Sequence, residues 1–153
     1  MVKIKIQNVV ASGTIADSLD LSALSLAIDD DGVTYEPNQF PGLVYKMREP
    51  KVAVLLFSSG KIVCTGAKSV EQAKEAVRRV AKTAAAAGAT VKDEPDIEVQ
   101  NIVASSDLGM EINLNAIAIS LGLEKVEYEP EQFPGLVYRL DEPKVVVLLF
   151  GSG

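Results

Sequence analysis

The sequence predicts an α+β fold of two pseudo-symmetric repeats that form one curved antiparallel sheet with helices on one face. Three observations carry this. Every aromatic residue recurs as an identical partner 93 positions on: Tyr35 and Tyr128, Phe40 and Phe133, Tyr45 and Tyr138, Phe57 and Phe150. Residues 4–60 slide onto 97–153 without a gap, and roughly half the positions are identical, as an internal duplication requires. The hydrophobic period also alternates between strand-like and helix-like in the same order in both copies. The first repeat is expected at 1–93 and the second at 94–153. Two full copies would need about 186 residues, so the second should lack its last strand and its second helix.

Residues 2–12 are β-branched and alternating, which gives a strand. Residues 19–28 set Leu21, Leu24 and Ile28 at helical spacing, and Asp29-Asp30-Asp31-Gly32 breaks that short helix. A short strand is expected near 33–36, then an excursion through Pro37–Gly42. Strands follow at 43–48, 51–57 and 61–66, separated by turns at Glu49-Pro50 and Ser58-Ser59-Gly60. Ser69 with Gln72 three residues on has the form of a capping box. The helix it opens runs from about 70 to 87, with Ala73, Ala76, Val77, Val80, Ala81 and Ala84 on its apolar side, and Gly88 stops it. The order restarts with a strand at 96–105, a helix near 113–121, and strands near 126–129, 135–141 and 144–150.

Strand alternation sorts the faces. On 51–57, Val52, Val54 and Leu56 point one way while Ala53, Leu55 and Phe57 point the other. On 43–48, Leu43, Tyr45 and Met47 oppose Val44, Lys46 and Arg48. Both faces are apolar, which is abnormal where helices cover only one. The uncovered face is either a binding surface or is covered by a second layer, such as a dimer partner.

The formal charge is −6 and is unevenly spread. Residues 1–93 carry 12 Lys+Arg against 10 Asp+Glu, whereas 94–153 carry 3 against 11, an asymmetry that suggests two different partners. Global charge does not prevent a locally basic or apolar face from meeting nucleic acid. There is no His, and the one Cys, Cys64, lies in an alternating strand pattern as a small buried hydrophobe. Catalysis is therefore not expected, and no cofactor or metal is implied. Gly60-Lys-Ile-Val-Cys-Thr-Gly-Ala-Lys-Ser misses the phosphate-loop spacing by one residue and reads better as a strand. A lone Cys, no signal peptide and no membrane-length apolar run lead to the expectation of a cytoplasmic protein without membrane contact.

The longest repeated block is Tyr-Glu-Pro-Xaa-Gln-Phe-Pro-Gly-Leu-Val-Tyr, at 35–45 and 128–138. A second block, Glu-Pro-Lys-Val-Xaa-Val-Leu-Leu-Phe-Xaa-Ser-Gly, stands at 49–60 and 142–153. Followed in the first copy by Lys-Ile-Val-Cys-Thr-Gly-Ala-Lys-Ser, these resemble the TATA-box-binding protein family in its archaeal form. The resemblance spans essentially the whole chain. It implies a saddle with helices on the convex face and a nucleoid-associated general transcription initiation factor. Such a factor binds the minor groove of A/T-rich double-stranded promoter DNA and recruits transcription factor B and, indirectly, RNA polymerase.

The resemblance also implies roles for particular residues. Phe40, Phe57, Phe133 and Phe150 match the rings that wedge between base steps. Asn8 and Asn101 match the pair that hydrogen-bonds the groove floor, flanked by Val10, Val44, Leu55, Val63 and Thr65 in the first copy and Val103, Val137 and Leu148 in the second. Of these, Val10, Val44, Leu55, Val103, Val137 and Leu148 would crowd a guanine amino group, favouring A·T pairs, and Val63 and Thr65 complete the first-half surface. Lys46, Ser59, Arg139 and Ser152 match phosphate-backbone contacts. Glu129, Glu131 and Gln132 lie in the second-copy loop that meets transcription factor B. The basic face of the long helix (Lys74, Arg78, Arg79, Lys82) fits either a regulator or solvent. The alternative function is a truncated chain that does not bind DNA and whose open sheet edge drives self-association or a regulatory contact. On either reading, Phe150 is expected to lack its supporting platform.

Overall fold

Alternation sets the first strand, β1 (Ile4–Thr14), which buries Val9 and Ala11 and leaves Asn8, Val10 and Ser12 half-exposed on the other face. This computed structural model describes residues 2–122 and 124–153. Its contacts group into a unit of Lys5–Ser105 and another of Ser106–Gly153 with the N-terminal residues through Ile4.

In the first unit, α1 (Leu21–Ala27) begins where Asp20 Oδ1 accepts the Ala23 N–H at 3.1 Å, an N-cap bond that satisfies one orphan donor. Leu21, Leu24 and Ile28 turn inward as their spacing dictates, while Leu26 points out to solvent. Then come β2 (Val33–Thr34), β3 (Leu43–Arg48), β4 (Lys51–Leu56) and β5 (Lys61–Ala67), all antiparallel to their neighbours. The sheet order is β2-β3-β4-β5-β1-β6, with β6 (Asp96–Ser106) beside β1. The compact units therefore do not divide at the sequence repeat, because β6 opens the second copy yet pairs in the first unit's sheet.

The helix α2 (Val70–Ala86) covers one face of β4 and β5. Its Ala73, Ala76, Val77, Val80, Ala81 and Ala84 are all buried, and they meet a core that includes Val52, Val54, Leu56 and Ile62. Small alanines let the helix axis approach the sheet closely, and the two valines each contribute about 1.5–3 kcal/mol of apolar burial. The Gln72 N–H reaches Ser69 Oγ at 3.0 Å, and Gln72 Oε1 accepts from the Lys68 N–H at 2.8 Å. This is the reciprocal arrangement of a capping box shifted one residue upstream on the return bond. Gly88, at φ 107°, turns the chain out of the helix.

Tyr45 and Tyr35 pack on this core. The Tyr45 hydroxyl donates to Asp30 Oδ2 at 2.6 Å, and Asp30 Oδ1 takes the Gly32 N–H at 2.8 Å. The Tyr45 hydroxyl, followed by the Gly32 amide, holds the Asp30 carboxyl below its ordinary range. Burial, followed by Asp30, pushes the Tyr45 phenol up to about 12. Cys64 is fully buried, and burial pushes its thiol up to about 11, as suits a packing residue.

The second unit repeats the pattern with α3 (Leu114–Leu121), β7 (Val126–Glu127), β8 (Leu136–Leu140) and β9 (Val145–Leu149). Asn113 caps α3 through the Ala116 N–H at 3.1 Å. Its buried core is Leu114, Ala118, Val126 and Leu136, with Tyr128, Tyr138, Ile112, Ile117 and Leu149 packed around them. The α+β class with antiparallel strands stands, the strands of the described residues grouping as six and three. The reason lies in the role of β5, which bridges β4 to β1 in the first unit. No counterpart of β5 pairs with β9 among the described residues.

One ion pair differs in sign between the units. Arg48 at the end of β3 meets Asp31 at 2.9 Å, whereas Asp141, its counterpart after β8, is the anion and meets Lys125 at 2.8 Å.

Two outcomes are expected. Leu56→Ala, at a fully buried position, should cost about 2–5 kcal/mol in urea denaturation, whereas Leu149→Ala at the half-buried equivalent should cost about 1 kcal/mol. In a phenolate absorbance titration, one tyrosine should ionise near 12, and Tyr45→Phe should abolish that step. Between 10, the ordinary phenol value, and about 12 the folded state keeps a proton that the unfolded chain has lost. The Tyr45 contribution to stability is therefore complete below pH 10 and is lost as pH rises through the folded value.

Candidate nucleic-acid interface

The uncovered sheet face of the first unit is built in rows by strand register. Val44 on β3 stands opposite Leu55 on β4, which stands opposite Val63 on β5, which stands opposite Ser12 on β1. The next row is Lys46, Ala53 and Thr65. Val44, Leu55, Val63 and Thr65 are half-exposed, a level apolar strip with Lys46 at its margin. Lys46 forms no ion pair among the described residues. Ala53 and Ser12 share these rows and were not among the expected site residues, although alternation places Ala53 beside Leu55.

Asn8 stands at the edge of this strip. Its Oδ1 accepts the Gly66 N–H at 2.7 Å, which fixes the amide orientation because a backbone donor must face the oxygen. The Nδ2 group is left as a donor. Val10 follows it on the same face of β1, half-exposed.

Two rings close the strip. Phe40 and Phe57 pack edge to face, centroids 5.9 Å apart and planes at 66°. Phe40 is held by a turn in which its N–H bonds Glu36 O at 3.0 Å. Phe57 directly follows β4 and begins a turn that the Gly60 N–H closes on Phe57 O at 2.9 Å. A Cβ at Gly42 would lie 2.8 Å from the Phe40 ring and 3.0 Å from that of Phe57, so glycine there is a condition of the pairing. The sequence signals this only through the repeated Phe-Pro-Gly.

The second unit reproduces the arrangement. Phe133 and Phe150 stand 5.9 Å apart at 69°, and a Cβ at Gly135 would lie 2.7 Å and 2.9 Å from their rings. The Phe133 N–H bonds Glu129 O at 3.0 Å, and Gly153 N–H bonds Phe150 O at 2.9 Å. The turn after Phe150 is further tied by Leu108 N–H to Gly153 O and Ile112 N–H to Gly151 O. Phe150 thus has more support than the sequence suggests, since its neighbours in space come from the segment before α3. Val137 stands opposite Leu148 and Arg139 opposite Val146, the same rows again. Leu148 is more exposed than Leu55. Val103 and Asn101, the counterparts of Val10 and Asn8, lie on β6 in the first unit. Val103 is more exposed than Val10, and Asn101 is without a partner like Gly66 among the described residues. Arg139 lies 3.5 Å from Glu127. Ser59 and Ser152 are exposed in their turns, and Glu129, Glu131 and Gln132 are exposed in the loop before Phe133.

Each unit therefore presents a pair of rings beside a flat apolar strip with hydrogen-bonding groups at its edges. Such a surface can lie on a planar or grooved partner and insert a ring where the partner can be opened.

Comparison with known proteins agrees with this reading. The chain is similar to "TATA-box-binding protein" of Archaeoglobus fulgidus, 62% identical over 151 residues covering 99% of this chain and 81% of that protein. It is 61% identical to "TATA-box-binding protein E" of Halobacterium salinarum, covering 98% and 80%. The solved structure of Methanococcus jannaschii TBP superposes with a TM-score of 0.85 at 54% identity, covering 99% of this chain and 84% of that one. A family model described as "Transcription factor TFIID (or TATA-binding protein, TBP)" matches residues 3–85 and 96–153. With that model matching both copies, the chain belongs to the TATA-binding protein family, a family of transcription factors.

Proposed function

We propose that this chain acts in transcription initiation by binding the minor groove of A/T-rich promoter DNA, kinking it by phenylalanine insertion, and recruiting transcription factor B and, through it, RNA polymerase. The observation that carries the proposal is the recurrence of one ring pair, at 5.9 Å and nearly the same angle, in two units 93 residues apart. A flat apolar ring replaces lost base stacking without needing a hydrogen-bond partner. The family is itself the type example of minor-groove kinking, in which unstacking costs a few kcal/mol per step and is offset by the protein surface that bent DNA wraps.

In this reading the repeats 1–93 and 94–153 each supply one end of the site. Phe40 with Phe57 and Phe133 with Phe150 are the wedges. Asn8 donates through Nδ2 to the acceptors that A·T pairs present on the groove floor, and Asn101 is its partner from the second repeat. Val10, Val44, Leu55, Val63 and Thr65, with Val103, Val137 and Leu148, form the apolar floor that leaves no place for a guanine amino group. The deformability of A/T-rich steps reinforces the preference. Lys46, Arg139, Ser59 and Ser152 meet the phosphate backbone. Glu129, Glu131 and Gln132 face the basic surface of transcription factor B, for which their exposure and charge suit them. No helix among the described residues is long and apolar enough to cross a membrane.

A fluorescence bending assay on a TATA duplex tests the mechanism. Phe57→Ala should weaken binding at least about tenfold and reduce the bend, whereas Leu26→Ala, at an outward position on α1, should change neither. A full bend with Phe57→Ala would overturn the wedge. Lys46→Ala should weaken binding uniformly across sequences and lower the salt slope by about 1. Glu129→Lys with Glu131→Lys should leave the binary DNA complex intact and abolish salt-sensitive capture of transcription factor B. Retained capture would refute that assignment.

A further inference from the structure

We propose that Glu127 restrains the DNA-facing cation of the second unit by engaging Arg139, so that the two units hold the phosphate backbone unequally. The inference rests on the DNA-binding reading above and adds to it a residue that sets the balance between the units. Strand register puts the carboxylate on the working face. Glu127 on β7 stands directly opposite Val137 on β8, and directly opposed residues share one face of a sheet. Arg139 lies two residues along β8 on that same face. Its guanidinium is 3.5 Å from the Glu127 carboxylate, and both side chains are more than half exposed.

The first unit has the same seat without the anion. Thr34 on β2 opposes Val44 as Glu127 opposes Val137. The Lys46 N–H bonds Gly32 O at 2.9 Å, and the Arg139 N–H bonds Lys125 O, the equivalent carbonyl 93 positions on, at 3.1 Å. The backbones match, and the difference is one exposed side chain, neutral in Thr34 and anionic in Glu127. Lys46 is exposed and forms no ion pair among the described residues.

A carboxylate on a face that meets a polyanion opposes binding in two ways. It repels the phosphates, and it holds Arg139 in a pair that must open before the guanidinium can reach one of them. An exposed pair of this length is weak, so the result is a bias and not a block. Glu127 and Arg139 together carry no net charge, whereas Thr34 and Lys46 together carry one positive charge. Phosphate neutralisation releases counterions, so the first unit supplies the larger share of the salt-dependent affinity. Rising salt therefore loosens the second unit from the DNA before the first.

Equilibrium binding of the full chain to an A/T-rich duplex across a salt series tests this. In the native chain, Lys46→Ala should lower the salt slope by about 1, and Arg139→Ala by less than half as much. Glu127→Gln keeps the shape and removes the charge. It should tighten binding about fivefold at low salt, steepen the slope, and make Arg139→Ala as costly as Lys46→Ala. Glu127→Asp, which keeps the charge, should bind like the native chain. Thermal unfolding should be unchanged in both Glu127 variants, because the position is exposed. Unchanged affinity and slope with Glu127→Gln would overturn the inference. So would equal costs of Arg139→Ala and Lys46→Ala in the native chain, or an effect of Glu127→Gln on capture of transcription factor B alone. A native chain that does not bind the duplex at any salt would overturn the functional reading itself, and this inference with it.

Discussion

Only one side of the first unit's sheet has to be covered, and the covering is done by α2. Its stripe of Ala73, Ala76, Val77, Val80, Ala81 and Ala84 closes over Val52, Val54, Leu56 and Ile62, and among the described residues no polar or charged one is buried in that core. Once that face is sealed, the opposite side chains of the same strands are free to serve as a surface. Strand alternation couples the two: Val54 cannot face α2 unless Leu55 faces away. The stability of the unit and the flatness of its apolar strip thus follow from a single packing decision. The second unit has the strip and the rings over a smaller core of Leu114, Ala118, Val126 and Leu136.

The ring pairs depend on a more local constraint. Each requires a strand end, a turn that bonds back to Glu36 or Glu129, and a glycine whose missing Cβ admits both rings. Edge-to-face contact stabilises the rings against each other by about 0.5–1.5 kcal/mol, enough to preorganise them without sealing them in a core. Phe40 and Phe133 remain 38% and 39% exposed, so each ring is held in place yet available.

Much of this was legible in the sequence. The alternation on 51–57 gave the buried and open faces residue by residue, and the 3.6-residue period of the long helix named the six residues it buries, because both are local patterns that burial must respect. The repeat aligned both ring pairs before any geometry was known. Other features depended on contacts distant in sequence. The seating of β5 between β4 and β1 pairs residues as distant as Val9 and Ala67, and no local period encodes that. The amide orientation of Asn8 depends on Gly66, 58 residues away, and the support of Phe150 comes from the segment before α3. Gly42 looks like an ordinary turn residue until the two rings are seen beside it. The roles of individual residues toward DNA came from family resemblance, since an apolar strip alone does not name its partner.

Duplication creates a hazard that the reversed ion pair counters on one side. Two copies this alike invite strands of one to seat on loops of the other while the chain is still assembling. In the native arrangement Arg48 meets Asp31, and Asp141 meets Lys125. Exchange the loops, and Asp141 would face Asp31, whereas Arg48 would meet Glu124, the counterpart of Asp31, beside Lys125, so only the first crossing sets like charges together. The native pairs are exposed and individually weak, so the penalty for that crossing is small and applies at one site. The changed polarity therefore turns the second hairpin away from the first loop and leaves the reverse exchange to be resisted by packing alone.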